Sequence, residues 1–169
     1  RFGVGHRVAG TFFQGWRSGP IPAEAMETAL GDRVQGMLAE HALLREEGAI
    51  EVLPGWSFEQ AATLPCAALT AWNALVAQGK LASGESVLVL GTGGVSLFAL
   101  QIARMHGARV ILTSSSDEKL ARAKGLGAHD TINYRAHPDW EKRVLELTGG
   151  RGVDHVVQVG GAGALGKAC

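Results

Sequence analysis

The feature that most constrains this chain is an alternation of short apolar runs and helical stretches that begins at residue 86. Each helical stretch is closed by a glycine, and the apolar runs show no polar face. Strands that are apolar on both faces belong in a parallel sheet with helices packed on both sides. The alternation therefore predicts an α/β fold with a doubly wound, Rossmann-type parallel sheet. The predicted strands are 86–90, 109–113, 131–134 and 153–159, and the helices between them end at residues 106, 126 and 148.

The residues before this alternation follow a different pattern. Short β-like runs at 7–9 and 34–44 are separated by a loop rich in glycine and proline, which indicates part of a β-rich unit. We therefore expect a β-rich part at 1–60, connecting helices at 61–84 and the α/β domain at 85–169, cut short at its C-terminal end.

A helix is expected in the connecting region. Ser57 and Gln60 have the spacing of a capping box, in which each side chain bonds a backbone amide of the other residue at the start of a helix. An alanine-rich helix should follow and be interrupted at Pro65, which lacks an N–H. Gly79 should end it in a left-handed conformation.

Charge and composition exclude several classes of protein. Sixteen basic and sixteen acidic residues cancel, so no net field attracts nucleic acid. No apolar stretch approaches the roughly 20 residues that a membrane helix needs. Cys66 and Cys169 are too few for a disulfide framework and lack metal-ligand spacing, which predicts a reduced, cytoplasmic protein. Because the first residue is Arg1, we expect a piece of a longer protein.

A glycine loop follows the first predicted strand and opens the first helix. Gly91 permits a tight turn, and Gly93 lets the backbone approach a pyrophosphate held at the helix N-terminus. Ser96 occupies the third position of the fingerprint, where glycine or alanine is usual. Because strand, loop and helix occur in this order, the loop predicts a dinucleotide-binding site.

The end of the second predicted strand indicates which dinucleotide is bound. An NAD site usually has an acidic residue there, about 20 residues after the first glycine. Here the position holds Ser114, followed by Ser115, and neither would repel a 2′-phosphate. Lys119 can add positive charge, which favours NADP over NAD. The acidic residues at 117 and 118 oppose this interpretation. Residues 115–118 could alternatively form a capping box, which is compatible with a phosphate site.

Further motifs extend along the whole chain. They are Gly5-His-Arg-Val8, Gly36-Met-Leu-Ala-Glu-His41, Glu59-Gln-Ala-Ala-Thr-Leu-Pro65, Leu69-Thr-Ala-Trp72, Gly84-Glu-Ser-Val-Leu-Val-Leu-Gly91, Ala123-Lys-Gly-Leu-Gly-Ala128, Ile132-Asn-Tyr134 and Gly149-Gly-Arg-Gly-Val-Asp154. With these motifs in this order, the chain resembles the medium-chain dehydrogenase/reductase superfamily. Within the superfamily it is most similar to the zinc-independent alcohol dehydrogenase-like and quinone oxidoreductase-like branches.

The resemblance implies a GroES-like catalytic domain for residues 1–60 and a homodimeric parent protein. Residues 9–35 hold no cysteine, so no structural zinc is expected there. Cys66 matches one catalytic zinc ligand of the zinc enzymes, but it is better explained as a small buried hydrophobic residue of an apolar helix. No metal ligand is therefore assigned. The residues expected to hold the cofactor are Thr70, Gly91, Thr92, Gly93, Gly94, Val95, Ser96, Ser114, Ser115, Lys119, Tyr134, Val159 and Gly160.

The implied activity is hydride transfer between a nicotinamide cofactor, NADP or alternatively NAD, and an alcohol or carbonyl substrate. Reduction of a quinone or enone is the alternative. No catalytic residue is assigned, because Tyr134 is better explained as a phosphate contact and His41 as an exposed residue. Two hypotheses of other classes are a catalytically silent nucleotide-binding fragment and a methyltransferase, which the serine at 114 disfavours.

Overall fold

The structure is a computed structural model that describes residues 1–168, apart from the side chain of residue 162. The chain divides into two compact units, Arg1–Cys66 and Ala67–Cys169. Within residues 1–168, no helix is both long enough and apolar enough to cross a bilayer.

The first unit is built on a two-stranded antiparallel sheet. Strand β1 (Val8–Gly10) pairs with β2 (Ala49–Glu51), and Ala9 lies opposite Ile50. The connection between them contains a short α-helix, α1 (Ala23–Met26), and a 3-10 helix at Glu46–Gly48. The first predicted β-run is thus present with a shift of one residue.

The second predicted β-run, at 34–44, is wrong. Val34 makes a single bridge to Leu30, and the following residues form no strand. The side chains of Leu38 and Leu43 are fully exposed. A strand gains stability when one face packs against a core and its backbone pairs with a neighbour. Because β1 pairs with β2 instead, this run has neither.

The helical region between the sheets begins as predicted and then departs from α-helical geometry. Ser57 Oγ accepts from the Gln60 N–H at 3.1 Å, and Gln60 Oε1 accepts from the Ser57 N–H at 2.9 Å, which confirms the capping box. The prediction that Pro65 interrupts the α-helix is confirmed, because α2 ends at Ala62 and Pro65 lies in a π-helical stretch. The segments in order are α2 (Phe58–Ala62), the π-helical Leu64–Ala68, α3 (Leu69–Trp72) and the π-helical Asn73–Gln78.

Gly79 ends this region, but the predicted left-handed conformation is wrong. Its φ is −68°, and Lys80 takes the positive φ of 53° instead. Glycine is required here by close approach. A Cβ at Gly79 would lie 2.7 Å from the carbonyl oxygen of Ala74 and 2.9 Å from that of Leu75. Both contacts are with backbone atoms, which cannot rotate away.

We expect Gly79→Ala to lower the free energy of unfolding by about 1–3 kcal/mol, the usual cost of forcing a methyl group into a packed site. Gly125→Ala is the matched control, because Gly125 ends a helix and a Cβ there meets nothing within 4 Å. That substitution should raise the free energy of unfolding by about 0.5 kcal/mol through helix propensity. Urea unfolding of both variants measures the difference, and equal effects would contradict the close approach at Gly79.

The second unit contains the doubly wound sheet that the sequence predicts. Its four strands are parallel and lie in the spatial order β5-β4-β3-β6. The last strand is shorter than the predicted 153–159. The strands are β3 (Ser86–Leu90), β4 (Arg109–Ser114), β5 (Asp130–Asn133) and β6 (His155–Val157), and the helices are α4 (Gly94–Met105), α5 (Asp117–Gly125), α6 (Trp140–Leu147) and α7 (Leu165–Ala168). Gly107, Gly127 and Gly149 follow three of these helices with positive φ, as predicted.

Both faces of the sheet are packed, which explains why its strands are apolar throughout. Alternate residues of β3 point into two separate clusters: Val87 and Val89 pack on one face, and Leu88 packs with Trp140 of α6 on the other. Leu100 of α4 is fully buried in the first cluster. Helices thus cover both faces, as in other parallel sheets.

The strand order places one loop at a special position. The chain runs from β3 outward through β4 to β5 and then returns to β6 on the opposite side of β3. The loops that follow β3 and β6 therefore diverge at the carboxyl edge of the sheet. Ligands of open α/β sheets bind in the crevice at such a switch point.

Candidate dinucleotide site

Gly91 makes the turn that leaves β3 at this edge. Its φ is +86°, a conformation that favours glycine. Its N–H donates to the Thr113 carbonyl oxygen at 3.0 Å and to Thr113 Oγ1 at 3.3 Å. The loop is therefore anchored to the neighbouring strand β4 from its first residue.

Ser96 fits the third position of the fingerprint, because its hydroxyl is satisfied inside the protein. The side chain is 1% exposed, and its Oγ donates to the Leu90 carbonyl oxygen at 3.0 Å. A Cβ at Gly91 would lie 3.8 Å from this Oγ, so helix and strand pack closely at this point. The Ser96 hydroxyl thus bonds across the inside of the turn, and the outer face of the loop stays open to a ligand.

The N-terminus of α4 lacks a side-chain cap. Gly93 is the N-cap residue in an extended conformation, and the first turn holds no acidic residue. By contrast, serine side chains cap α2 and α5, Ser57 and Ser116 respectively. A Cβ at Gly93 would meet nothing within 4 Å, so the space before the helix is open. Uncapped amides at the positive end of a helix dipole suit a phosphate group, and these residues fit a dinucleotide pyrophosphate.

The last residue of β4 is more deeply buried than a residue that contacts a bound phosphate would be. Ser114 is 3% exposed, and its Oγ lies 3.2 Å from Oγ1 of Thr92. The Ser116 N–H donates to the same Oγ at 3.4 Å. Ser115 is half-buried and Lys119 is exposed. The structure thus brings the predicted adenosine-end residues together but turns the hydroxyl of Ser114 inward.

The capping box considered for residues 115–118 is wrong. The N-cap of α5 is Ser116, whose Oγ accepts from the Lys119 N–H at 3.4 Å. The strand β4 extends one residue further than predicted, and α5 begins at Asp117. Ser115 is left between strand and helix without a capping role.

The end of β5 adds further polar groups to this edge. Tyr134 is 42% exposed, and its N–H donates to the Ser114 carbonyl oxygen at 3.0 Å. Asn133 Nδ2 donates to Asp117 Oδ1 at 2.7 Å, and the Arg135 N–H donates to Asn133 Oδ1 at 3.0 Å. Asp117, one of the two acidic residues that would repel a bound phosphate, is therefore hydrogen-bonded to the side-chain amide of Asn133.

The other predicted residues lie on three different segments. Thr70 is exposed on α3, Val95 is half-buried in the first turn of α4, and Val159 and Gly160 are exposed after β6. A Cβ at Gly94 would lie 3.4 Å from the Cβ of residue 67, which places the helical segment carrying Thr70 beside the glycine loop. Thr70 and Val95 remain predictions for the nicotinamide end, and Val159 and Gly160 remain predictions for a loop that lines the cofactor.

His41, considered as a catalytic residue, and Cys66, considered as a zinc ligand, lie in the first unit. His41 is exposed, and its Nδ1 lies 2.7 Å from the Glu40 carbonyl oxygen. Cys66 is an exposed free thiol, so the expectation that it is a small buried residue is wrong. Among the residues that the structure describes, no three His, Cys, Asp or Glu side chains converge as a metal site.

Sequence reasoning missed a polar cluster at the opposite, amino edge of the sheet. Asp154 Oδ2 accepts from the N–H and the Oγ of Ser86, each at 2.7 Å, and Asp154 Oδ1 accepts from Arg151 Nη1 at 2.7 Å. These bonds, first those from Arg151 and then those from Ser86, hold the pKa of the Asp154 carboxyl well below its usual value. Only the Gly149–Asp154 motif could have drawn attention to the cluster, which joins β3 to the start of β6.

This lowered pKa predicts a pH dependence of stability. An acid whose pKa is lower in the folded state stabilises the fold above its unfolded pKa of about 3.9 and loses that contribution as the pH falls towards the folded value. We therefore expect the free energy of unfolding to fall from about pH 5 downwards. Asp154→Asn should make this decline shallower, measured by urea unfolding at several pH values. A decline equally steep in the variant would show that other carboxyl groups cause it.

The fold and the glycine loop at the carboxyl edge of the sheet define an α/β domain with a phosphate loop of the dinucleotide-binding type. A family model described as zinc-binding dehydrogenase matches residues 94–169. A zinc-type alcohol dehydrogenase-like protein of Schizosaccharomyces pombe is 46% identical over 166 residues, which are 97% of this chain and 48% of that protein. A quinone oxidoreductase of Pseudomonas aeruginosa is 38% identical over 138 residues, which are 78% of this chain and 42% of that protein.

A solved structure agrees with these relatives. A candidate alcohol dehydrogenase from Sinorhizobium meliloti 1021 matches with a TM-score of 0.91 at 48% identity, over 99% of this chain and 50% of that chain. The chain thus spans about half the length of the relatives it matches. It belongs to the medium-chain dehydrogenase/reductase superfamily, as its motifs predict.

Proposed function

We propose that this chain binds NADP(H) and serves hydride transfer to or from an alcohol or carbonyl substrate in an oxidoreductase that does not use zinc. The observation that carries the proposal is the uncapped, acid-free N-terminus of α4, which opens at the switch point of the sheet. An NAD-dependent alcohol dehydrogenase of known structure is 45% identical over 83% of this chain. A mycobacterial structure in complex with NADPH is 34% identical over 72% of it.

The bound cofactor would supply the hydride, and the protein would supply binding and orientation. The backbone of Gly91, Gly93 and Gly94 holds the pyrophosphate. Thr70 and Val95 line the nicotinamide end, together with the loop that begins at Val159 and Gly160. No side chain of this chain is assigned as the proton donor.

The preference for NADP(H) rests on the residues after β4 and β5. Ser115 can face a 2′-phosphate from the β4–α5 loop and Lys119 from the first turn of α5, and Tyr134 and Arg135 can face it from just after β5. Lys119 and Arg135 are cations, which attract a phosphate dianion. Asp117 Oδ1 accepts a hydrogen bond from Asn133 Nδ2, so one oxygen of this nearby carboxylate has a partner within the protein.

Reduction of a quinone or enone is the second candidate for the substrate. A quinone oxidoreductase of Pseudomonas syringae pv. tomato DC3000 is 39% identical over 74% of this chain, with a TM-score of 0.68. An enoyl reductase, CurK, is 32% identical over 72% of this chain. A nucleotide-binding role without catalysis remains the alternative of another class for this chain.

The whole protein is further proposed to be a zinc-independent, cytoplasmic homodimer. Cysteine is absent from residues 9–35, where a structural zinc would need thiolate ligands in close array. Metal analysis of the whole protein tests this part of the proposal, and stoichiometric zinc required for activity would contradict it.

Titration with NADPH and NADH, followed by tryptophan fluorescence, tests the cofactor. We expect NADPH to bind about tenfold more tightly or better, because the site has cations and no strand-end carboxylate at the position of the 2′-phosphate. Binding should weaken with added salt, as expected for attraction between charges near the surface. Equal affinities for the two cofactors would contradict the assignment to NADP(H), and no binding of either would contradict the proposed function.

A further inference from the structure

We propose that Ser114 is a positioning residue that fixes the distance between the two cofactor-binding loops, and that it does not contact the cofactor itself. This inference rests on the proposed function, because it concerns how one dinucleotide is held at two places. The β3–α4 loop carries the pyrophosphate groups, and the β4–α5 loop carries the groups for the adenosine end.

The two loops are joined by a short chain of polar contacts through the end of β4. Leu90 and Thr113 are register partners in the sheet, so the residues after them leave neighbouring strands side by side. The hydroxyls of Thr92 and Ser114 lie 3.2 Å apart across this gap. The N–H of Ser116 donates to Ser114 Oγ, which ties the start of α5 to the same hydroxyl.

The burial of Ser114 separates its role from that of its neighbours. With 3% of its surface exposed, it has no room to meet a phosphate dianion. A hydroxyl has one donor and two acceptor positions, and the contacts of Ser114 Oγ with Ser116 and Thr92 use two of the three. Ser115, which is half-buried, and Lys119, which is exposed, are left to meet the charge. Ser114 therefore sets the distance between the two loops, and Ser115 and Lys119 make the contact with the phosphate.

A dinucleotide is a two-ended ligand, so its affinity depends on the span between the two loops. When one end is bound, the second end binds with an effective concentration that falls if the span is wrong or variable. A fragment that occupies one loop only is insensitive to the span. Loss of the Ser114 hydroxyl should therefore weaken NADPH selectively and leave a one-ended fragment unaffected.

The test compares NADPH with adenosine 2′-monophosphate, which reaches only the adenosine end. We expect Ser114→Ala to weaken NADPH roughly fivefold, as for the loss of one hydrogen bond, and to change the affinity for adenosine 2′-monophosphate by less than about twofold. Thr92→Val should have the same effect from the other loop. Thr92→Ser keeps the hydroxyl and should restore NADPH binding.

The double variant Ser114→Ala with Thr92→Val distinguishes one shared contact from two separate ones. If the two hydroxyls act through each other, the double variant should be no weaker than either single variant. A loss of roughly 25-fold, the product of the two, would overturn the inference. An equal loss for adenosine 2′-monophosphate would also overturn it, because it would place Ser114 in contact with the phosphate. If the unaltered protein does not bind NADPH, the proposed function itself fails, which is a different result.

Discussion

Replacing Gly93 with aspartate should stabilise α4 and at the same time abolish binding of NADPH. The residue has φ −76° and ψ 179°, which any residue can adopt, and its Cβ position is open. An aspartate N-cap would accept from the free amides of the first turn and complement the helix dipole, adding about 0.5 kcal/mol to the free energy of unfolding. The same carboxylate would occupy the donors that the pyrophosphate needs. We expect at least about a 100-fold loss of NADPH affinity from like-charge repulsion.

Gly93→Asn is the matched control for this experiment. Asparagine caps the same amides without a charge, so its stabilisation should be similar while the loss of NADPH affinity should be smaller. Thermal unfolding and NADPH titration of both variants provide the comparison. If Gly93→Asp keeps its affinity within about threefold, the pyrophosphate does not lie at α4. A loss of affinity that accompanies a loss of stability would point to unfolding.

Replacing Ser115 with aspartate should reverse the cofactor preference. A carboxylate here would lie one residue after the position at which NAD sites have their acidic residue, where it could accept from the ribose hydroxyls and would repel a 2′-phosphate. We expect NADPH to lose about 100-fold in affinity relative to NADH, since like charges in contact cost several kcal/mol. Ser115 is the appropriate position, because Ser114 is buried against Thr92 and a carboxylate there would also disturb the fold.

Ser115→Asn is the control, since it has nearly the same size and no charge. It should change the ratio of the two affinities by less than about threefold. An unchanged ratio in Ser115→Asp would show that the 2′-phosphate, if bound, lies elsewhere than at the end of β4.

Much of the second unit could be predicted because its signals are local or periodic. Apolar runs on both faces predict a parallel sheet, and the glycine loop after the first of them predicts where a phosphate group would bind. In the first unit, the capping box at Ser57 is likewise local, because it depends on four consecutive residues, and the structure confirms it. These features depend on backbone geometry and hydrophobic spacing, which neighbouring residues determine.

Other features were missed because a distant partner decides them. The run at 34–44 has the composition of a strand, but β1 pairs with Ala49–Glu51, and no core receives the side chains of the run. Gly79 was expected to be needed for a left-handed cap, whereas the carbonyl oxygens of Ala74 and Leu75 exclude a methyl group there. Neither outcome can be read from the residues themselves, since both are effects of packing.

The sequence by itself determined the class of fold, the phosphate loop and the absence of an acidic residue at the end of β4, because each is written in a few adjacent residues. Only the tertiary structure decided which side chain Ser114 contacts. Its partner Thr92 is 22 residues away in the chain and meets it only because β3 and β4 pair in register. The same is true of Ser86 and Asp154, which are 68 residues apart. Hydrogen bonds between neighbouring strands depend on the register of the sheet, which emerges only when the chain is folded.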